Sequence, residues 1–247
     1  MSDDPDILPD GLRRPDDGLL RREYFTPERV KFYAELFEKF GGMPVMPEED
    51  RAASLARMQE GIAPGKDVWV FGYGSLMWNP AVNIVGSQTA RVEGYHRKFC
   101  LTIGFGRGTP EKPGLMLALD EGGECVGLAH RIAADQAQSE LEILWQREML
   151  SGAYIPTWMN ARIDGVGNAR VITFVINRAH PRYEGDLPFE AVAKRIATAE
   201  GVFGTNRDYL YRMIAQLDSM GLKSGPMHDL ERRVRVLANE TQQGETP

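Results

Sequence analysis

Helical periodicity marks the N-terminal quarter of the chain, after a polar start. Residues 1–20 are rich in Asp, Pro and Gly and have neither helical nor strand periodicity, so we expect them to be disordered. Thr26-Pro27 is a typical helix start, and Gly41-Gly42 is a typical helix end. Between these limits apolar side chains recur at helical spacing, at Val30, Tyr33, Leu36, Phe37 and Phe40.

The apolar centre of the chain is a cluster of strand patterns with one inserted helix. Val68-Trp69-Val70-Phe71 is a short run of residues that favour β-structure and predicts a buried strand. Further strands are predicted over 90–95, 98–105, 115–120, 125–132, 157–163 and 169–177. Helices are predicted over 136–150, 188–200, 206–220 and 228–239. This order favours an α+β fold over an alternating parallel one.

These patterns divide the chain into three parts. Residues 1–66 are predicted to be an N-terminal arm that is partly disordered and then helical. The arm contains a second short helix over 48–59 and ends in a linker over 61–66. The folded domain is predicted over 67–240, with a polar tail over 241–247. Two roles stay open for the arm, since it either packs on the domain or contacts a partner.

The composition is that of an ordinary globular protein with a mildly acidic balance. Among 247 residues, 29 are Lys or Arg and 35 are Asp or Glu, which gives a formal net charge of −6. This balance offers no electrostatic basis for binding nucleic acid or an anionic membrane surface. The sequence has no apolar run of about 18 residues and no apolar signal core at its start. Cys100 and Cys125 are predicted to be buried thiols, and together these features fit a cytoplasmic protein.

Several common catalytic motifs are excluded by their spacing. Gly72-Tyr73-Gly74 lacks the third glycine of a dinucleotide-binding loop, because Met77 stands in its place. Gly65-Lys66 lacks the remaining residues of a P-loop, and Ser75 lacks the glycine that a nucleophile elbow needs. The histidines are scattered without metal-ligand spacing, so neither a metal nor another cofactor is expected: His96, His130, His180 and His228.

Two features remain that can carry chemistry, and the first is a glycine-containing turn. The predicted strand ends in Gly72-Tyr73-Gly74-Ser75. Glycine permits positive φ and a close approach of the backbone to a ligand. Successive N–H groups at such a turn bind anions, and the Ser75 hydroxyl adds a donor. The segment therefore predicts either a carboxylate-binding loop or an ordinary tight turn.

The second feature is Glu148. Leu141, Leu144 and Trp145 define the apolar stripe of the predicted helix, and the next position on that stripe is Glu148. Burial and the nearby C-terminal end of the helix both raise the pKa of a carboxyl, which suits a general acid/base. The alternative is a structural ion pair with a nearby Arg or Lys, for example Arg147 of the same helix. Glu140 and Glu142 lie off the stripe, so we expect both to be solvated.

At these residues the sequence resembles the ChaC family of γ-glutamylcyclotransferases. Matching segments follow in order from Asp67 to the last helix. They are Val68 to Pro80, Gly94 to Arg97, Phe99 to Leu101, Gly106 to Thr109, Pro113-Gly114, Glu121 to Gly123, Val126 to Ala129, Leu144 to Met149, Tyr154 to Trp158, His180-Pro181, Tyr183-Glu184, Gly204 to Asn206 and Tyr209-Leu210. One such segment alone would be weak evidence, whereas the ordered set is specific. At His130 the family more often has Tyr.

The resemblance implies a fold, a reaction and site residues. The fold is a small mixed β-barrel flanked by helices, and the reaction cleaves glutathione to 5-oxoproline and cysteinylglycine. The position that matches the catalytic glutamate of the family is Glu148. The positions that match its substrate loop are Val70, Phe71, Gly72, Tyr73, Gly74 and Ser75, with Leu76 beside them.

Other pocket contacts are expected from residue chemistry. Tyr154 and Tyr209 are candidate hydrogen-bond donors, or else amphipathic core residues. Arg107 or Lys112 is expected to receive the glycine carboxylate of glutathione, unless both are solvated loop charges. Two alternative functions stay open. One is a cyclotransferase for other γ-glutamyl amino acids or amines, and the other is a non-catalytic protein that binds γ-glutamyl compounds.

Overall fold

The structure is a computed structural model and describes residues 19–41 and 45–244. In this part of the chain the main strands are β1 (Val68–Gly72), β2 (Gly86–Ile103), β3 (Gly114–Ile132), β4 (Tyr154–Ile163) and β5 (Gly167–Ile176). They close into a barrel in the order β1-β3-β2-β4-β5. The closure is parallel, since Val70 of β1 pairs with Ile172 of β5, whereas neighbouring β2 and β3 are antiparallel. The predicted mixed barrel is confirmed.

The barrel is dominated by one long hairpin where the sequence predicted four strands. The segments predicted over 90–95 and 98–105 form the continuous β2, and those over 115–120 and 125–132 form β3. The break predicted between the strands over 115–120 and 125–132 is therefore not a turn. Both glycines have positive φ, but they form a bulge opposite Gly94, and strand pairing continues on either side.

Helices cover the ends and two sides of the barrel. They are α1 (Pro27–Gly41), α2 (Glu48–Gln59), α3 (Ala137–Glu148), α4 (Phe189–Thr198), α5 (Asn206–Ser219) and α6 (Pro226–Gly244). Short strands β6 (Glu200–Gly201) and β7 (Gly204–Thr205) pair with each other before α5. The last helix continues to Gly244, beyond its predicted end at 239, and the polar tail over 241–247 stays a prediction. All six helices had been predicted, with ends that differ by a few residues.

Strand β4 begins earlier than the sequence predicted. It starts at Tyr154 and includes Pro156, which pairs with Phe174 of β5. Proline is tolerated in a strand where its missing N–H is not needed for pairing. This condition holds here, because β4 pairs with β2 only through Ala161–Ile163.

The two larger apolar cores flank the wall of the barrel. One lies inside the barrel and under α4, α5 and α6, with Phe71, Leu117 and Met213 among its fully buried members. The other joins β1 and β5 to α2 and α3, and contains Val70, Leu144 and Trp145. The predicted thiols Cys100 and Cys125 are both buried and free.

The N-terminal arm packs on the domain where the structure describes it. A 3-10 turn at Arg22–Phe25 precedes α1, and Tyr24 and Val30 are buried. The indole N–H of Trp145 donates to Ser54 of α2 at 2.8 Å. The predicted disorder of residues 1–18 lies outside the described residues, as do the side chains of the predicted stripe at Leu36, Phe37 and Phe40. The boundary between arm and domain at residue 66 stays a prediction.

Candidate active site

A cavity of about 300 Å³ lies at one end of the barrel. The 3-10 turn that follows β1, Ser75–Met77, forms one side of it, and the last turn of α3 forms another. Its lining includes the two features that the sequence singled out, the Gly74-Ser75 segment and Glu148. The fold therefore brings the glycine turn and the buried carboxyl into one cavity.

The glycines of the turn are required by close packing. Neither Gly72 nor Gly74 adopts the positive φ that glycine permits. A Cβ at Gly72 would lie 3.0 Å from Leu76 Cβ, and one at Gly74 would lie 3.0 Å from the Tyr209 hydroxyl. Both distances are shorter than an ordinary carbon contact. The chain therefore reverses tightly after β1, against the side chain of Tyr209.

Glu148 lies at the end of α3 and faces the cavity. Its side chain is 14% exposed, and its Oε1 lies 2.8 Å from Nε of Arg147, which is 8% exposed. The carboxyl lines the cavity and also forms the ion pair with Arg147, while its acid/base role stays a prediction. The helix ends directly after it, and Gly152 follows with a φ of +67°.

Opposing effects set the acidity of Glu148. Burial raises the pKa of its carboxyl above the ordinary value, while the charge and hydrogen bond of Arg147 act in the opposite direction. Burial is the larger effect. The carboxyl therefore exchanges its proton at higher pH than a solvated glutamate, in a place where it can contact a bound molecule.

Arg147 connects the acid/base candidate to the turn. Its Nη2 donates to Ser75 Oγ at 2.8 Å, and its Nη1 donates to the carbonyl of Asn79. The Tyr209 hydroxyl in turn hydrogen-bonds the backbone and the side chain of Ser75. Glu148, Ser75 and Tyr209 thus belong to one hydrogen-bonded chain, which fixes the turn relative to the carboxyl.

Three tyrosines from the barrel and α5 line the cavity: Tyr73, Tyr154 and Tyr209. The Tyr73 hydroxyl donates to the carbonyl of Phe174 at 2.7 Å, and the Tyr154 hydroxyl donates to the carbonyl of Leu117 at 2.9 Å. Burial, with a contribution from the Glu148 charge, raises the pKa of Tyr209 to about 12. Tyr209 therefore stays a neutral phenol over the physiological pH range.

The predicted loop residues fall into two groups. Tyr73, Gly74, Ser75 and Leu76 line the cavity. Val70, Phe71 and Gly72 belong to β1, and within the described residues the lining of this segment begins at Tyr73. The side chains of Val70 and Phe71 pack into the two cores, so contact with a ligand through these side chains is not supported.

Of the two predicted loop cations, one reaches the cavity. Arg107 lines it and donates to the carbonyl of Thr205 at 3.1 Å, whereas Lys112 is exposed. A third cation, which the sequence analysis missed, is Arg182. It lines the cavity with only 7% of its surface exposed, and burial lowers the pKa of its guanidinium. Its position after His180-Pro181 was the available signal, but burial cannot be read from a loop sequence.

Gln146 and Glu140 were also missed. Gln146 lines the cavity, and its Oε1 is buried without a hydrogen-bond partner among the described residues. The expectation that Glu140 is solvated was wrong, because it is 1% exposed. Its carboxylate accepts from the backbone of Asn83 at 2.9 Å and pairs with Arg22 of the arm. Glu142 is exposed as predicted.

His130 is a buried residue that hydrogen-bonds the turn after β1. It is 3% exposed, its Nε2 lies 2.8 Å from the Leu76 carbonyl, and its Nδ1 lies 2.7 Å from Ser87 Oγ. A carbonyl only accepts, so Nε2 carries the proton and the Ser87 hydroxyl donates to Nδ1. Burial lowers the pKa of His130, which keeps the ring neutral. The histidine is thus a structural residue that fixes the Leu76 carbonyl.

Residues 19–41 and 45–244 hold neither a metal cluster nor a membrane span. In these segments no group of three or more His, Cys, Asp or Glu side chains is placed to hold a metal ion. The helices of the same segments are too short or too polar to cross a bilayer.

Comparison with known proteins gives the family. The model of the ChaC-like protein family matches residues 68–237. The glutathione-specific γ-glutamylcyclotransferase of Escherichia coli is 42% identical over 192 residues, which are 78% of this chain and 83% of the relative. The human glutathione-specific γ-glutamylcyclotransferase 1 is 30% identical, over 65% of this chain and 74% of the relative.

A solved structure shows the same fold. The crystal structure of a γ-glutamyl cyclotransferase specific to glutathione, from yeast, superposes with a TM-score of 0.64 at 19% sequence identity. The superposition covers 70% of this chain and 98% of that chain. Together with the matched residues 68–237, which include the turn and Glu148, these findings show that the chain belongs to the ChaC-like protein family.

Proposed function

We propose that this protein cleaves glutathione into 5-oxoproline and cysteinylglycine by intramolecular γ-glutamyl transfer. The observation that carries the proposal is the Glu148 carboxyl, which lines the same cavity as the Gly74-Ser75 turn and has a raised pKa. It stands at the position that matches the catalytic glutamate of the family. The name of the E. coli relative, which is 42% identical, supports the choice of glutathione.

The reaction needs one group that accepts and returns a proton. The α-amine of the γ-glutamyl group attacks its own γ-carbonyl carbon, and a five-membered ring closes. Glu148 takes the proton that the attacking nitrogen loses and gives it to the leaving amine of cysteinylglycine as the amide bond breaks. Atoms balance without water, so the protein must mainly fold the substrate and move this proton.

The turn is the proposed site for the α-carboxylate of the substrate. Its N–H groups open a 3-10 helical turn, and the first N–H groups of such a turn have no partner within it. Arg147, which donates to Ser75 Oγ, adds positive charge at the same place. The carboxylate held there would sit next to Glu148, where ring closure has to occur. Fixing the reacting groups in this way is worth roughly 7–11 kcal/mol in favourable cases.

Glutathione carries a second carboxylate, and two arginines besides Arg147 line the cavity. Arg107 and Arg182 both line the cavity, and Arg107 stays the proposed partner of the glycine carboxylate. Arg182 is more deeply buried and is a further candidate. The buried Oε1 of Gln146 offers an acceptor for an N–H group of the substrate.

Product analysis tests the proposal. The wild-type protein is incubated with reduced glutathione, γ-glutamylalanine and a γ-glutamylamine, and 5-oxoproline, free glutamate and cysteinylglycine are quantified. We expect 5-oxoproline and cysteinylglycine in equal amounts from glutathione. Release of free glutamate would contradict cyclisation, and turnover of the other compounds alone would contradict the substrate. Binding without turnover would indicate a non-catalytic protein. The cytoplasmic location stays a prediction.

A further inference from the structure

The N-terminal arm forms part of the wall of the candidate active site. Its lining residues lie before or within α1 and are mostly apolar: Leu19, Leu20, Tyr24, Phe25, Val30 and Tyr33. This segment precedes residues 68–237, which match the family model. The arm therefore adds a feature to the cavity that comes from outside the matched domain.

An ion pair to a buried carboxylate holds the arm in place. Arg22, in the 3-10 turn of the arm, pairs with Glu140 on α3. The Glu140 side chain is 2% exposed, while that of Arg22 is 44% exposed. A buried carboxylate requires compensation, and here the arm supplies the opposite charge. The contact is made to the same helix that carries Glu148, two turns before it.

Aromatic contacts attach the arm to the rest of the cavity wall. The guanidinium carbon of Arg147 lies 6.0 Å from the ring centroid of Phe25. The ring of Tyr33 lies 6.4 Å from that of Phe105 and 6.4 Å from that of Phe203. Tyr24 and Val30 are 6% and 4% exposed, so the arm is packed and not merely adjacent.

Cavity size makes these side chains relevant to the substrate. About 300 Å³ is the lower limit of the range for ligand sites, so a bound tripeptide leaves little free space. The γ-carbonyl has to lie beside Glu148, and the two residues that leave extend roughly 7 Å from it. Phe25 and Tyr33 line the same cavity as Glu148, and Phe25 contacts Arg147, the neighbour of Glu148, so the leaving part comes within reach of the arm.

We propose that Phe25 and Tyr33 of the arm are specificity-determining residues, which contact the cysteinylglycine half of the substrate and exclude larger groups on its sulfur. This inference rests on the proposed function for the identity of the substrate. It adds that recognition of the leaving half depends on a segment outside the matched domain. The arm would thereby distinguish glutathione from bulkier γ-glutamyl peptides such as S-alkylated glutathione.

A variant that weakens the contact between the arm and α3 tests whether the arm contributes to the binding of glutathione. Arg22→Gln removes the ion pair to the buried Glu140 carboxylate, which keeps the backbone N–H of Asn83 as a donor at 2.9 Å. Thermal unfolding of the variant is measured beside its kinetics, so that a loss of folding is recognised. The matched control is Arg131→Gln, since the Arg131 side chain is also 44% exposed and pairs with Asp67. We expect Arg22→Gln to raise KM for glutathione about fivefold with kcat within about twofold of wild type, the pattern of lost binding. Arg131→Gln should leave both parameters unchanged.

Enlarging the cavity tests its part in specificity. Phe25→Ala and Phe25→Ala/Tyr33→Ala remove rings from the wall, and Phe189→Ala is the control because Phe189 is 49% exposed on α4. A pocket wall discriminates by about 10-fold or more for each group that it excludes. We therefore expect the ratio of kcat/KM for S-hexylglutathione to that for glutathione to rise at least about tenfold. A gain of this kind is not produced by partial unfolding.

The outcomes distinguish a failure of the proposed role of the arm from a failure of the proposed reaction. Turnover of glutathione by wild type, with an unchanged ratio in the double variant and an unchanged KM in Arg22→Gln, would overturn the role of the arm and leave the function intact. Absence of 5-oxoproline from wild type would instead contradict the function. In that case the binding of glutathione and S-hexylglutathione to wild type and to the same variants is measured by calorimetry. A ratio of the two affinities that is the same in the variants as in wild type would overturn the role of the arm.

Discussion

Two opposing effects, burial and the charge of Arg147, act on the carboxyl of Glu148. A carboxyl at the inward face of a helix end is destabilised as an anion by burial, and Arg147 at 2.8 Å limits that effect. The sequence contained both parts of this arrangement, since the apolar stripe of α3 leads to Glu148 and Arg147 precedes it. It did not reveal the burial of Glu140, which borders the stripe one turn before Leu144 and is covered by Arg22 from a distant segment.

The balance at Glu148 predicts a pH dependence. A base acts in its deprotonated form, so activity should rise as pH increases through the raised pKa of Glu148. Arg147→Gln removes the charge that lowers this pKa, and the midpoint of the acid limb of kcat/KM should move to higher pH. Arg91→Gln, in a surface pair with Glu124, should leave the midpoint in place. A midpoint that stays or falls in Arg147→Gln would contradict the proposed balance.

Helices were predicted well, because their periodicity is local in the sequence. Strands were predicted less well, because their pairing joins residues that are far apart in the sequence. The helices follow from stripes and caps, such as Thr205, whose hydroxyl accepts from Asp208 at the start of α5. The long hairpin of β2 and β3 could not be foreseen, because glycines of positive φ form turns and bulges alike. Only pairing with the other strand, as at Tyr95 and Glu121, decides between the two.

One strand glycine is required by the close approach of β1 and β3. A Cβ on Gly127 of β3 would lie 2.3 Å from the carbonyl oxygen of Gly72 on β1. Backbone atoms cannot move away cheaply, so Gly127→Ala should cost about 3 kcal/mol, the upper end of the usual range for overpacking. For a chain of this size that lowers Tm by roughly 6–12 °C.

A second glycine provides the control for this prediction. A Cβ on Gly86 of β2 would have its nearest neighbours, two nitrogen atoms of the Arg131 side chain, at 3.9 Å. This is an ordinary van der Waals separation, so Gly86→Ala should leave Tm nearly unchanged. Thermal unfolding followed by circular dichroism compares the two variants. Equal melting temperatures would show that the contact between β1 and β3 is not as close as described.

In the molecule as a whole, the barrel brings together segments that are far apart in the sequence. The turn after β1, the end of α3, Tyr154 at the start of β4 and Tyr209 of α5 converge on one cavity, and the arm closes one side of it. Sequence reasoning found the residues of this constellation through motif order. The role of the arm required the structure, because nothing in its helical stripe indicates what the stripe packs against.

The most direct test of the account is 5-oxoproline release from reduced glutathione by wild type and Glu148→Gln. Gln keeps the shape of the side chain and can still accept from Arg147, but it cannot carry the proton. We expect turnover by wild type, a loss of about 10²–10⁴-fold in kcat for the variant, and unchanged melting temperature and glutathione binding. Full activity of a folded Glu148→Gln protein would contradict the central claim that this carboxyl is the acid/base of the reaction.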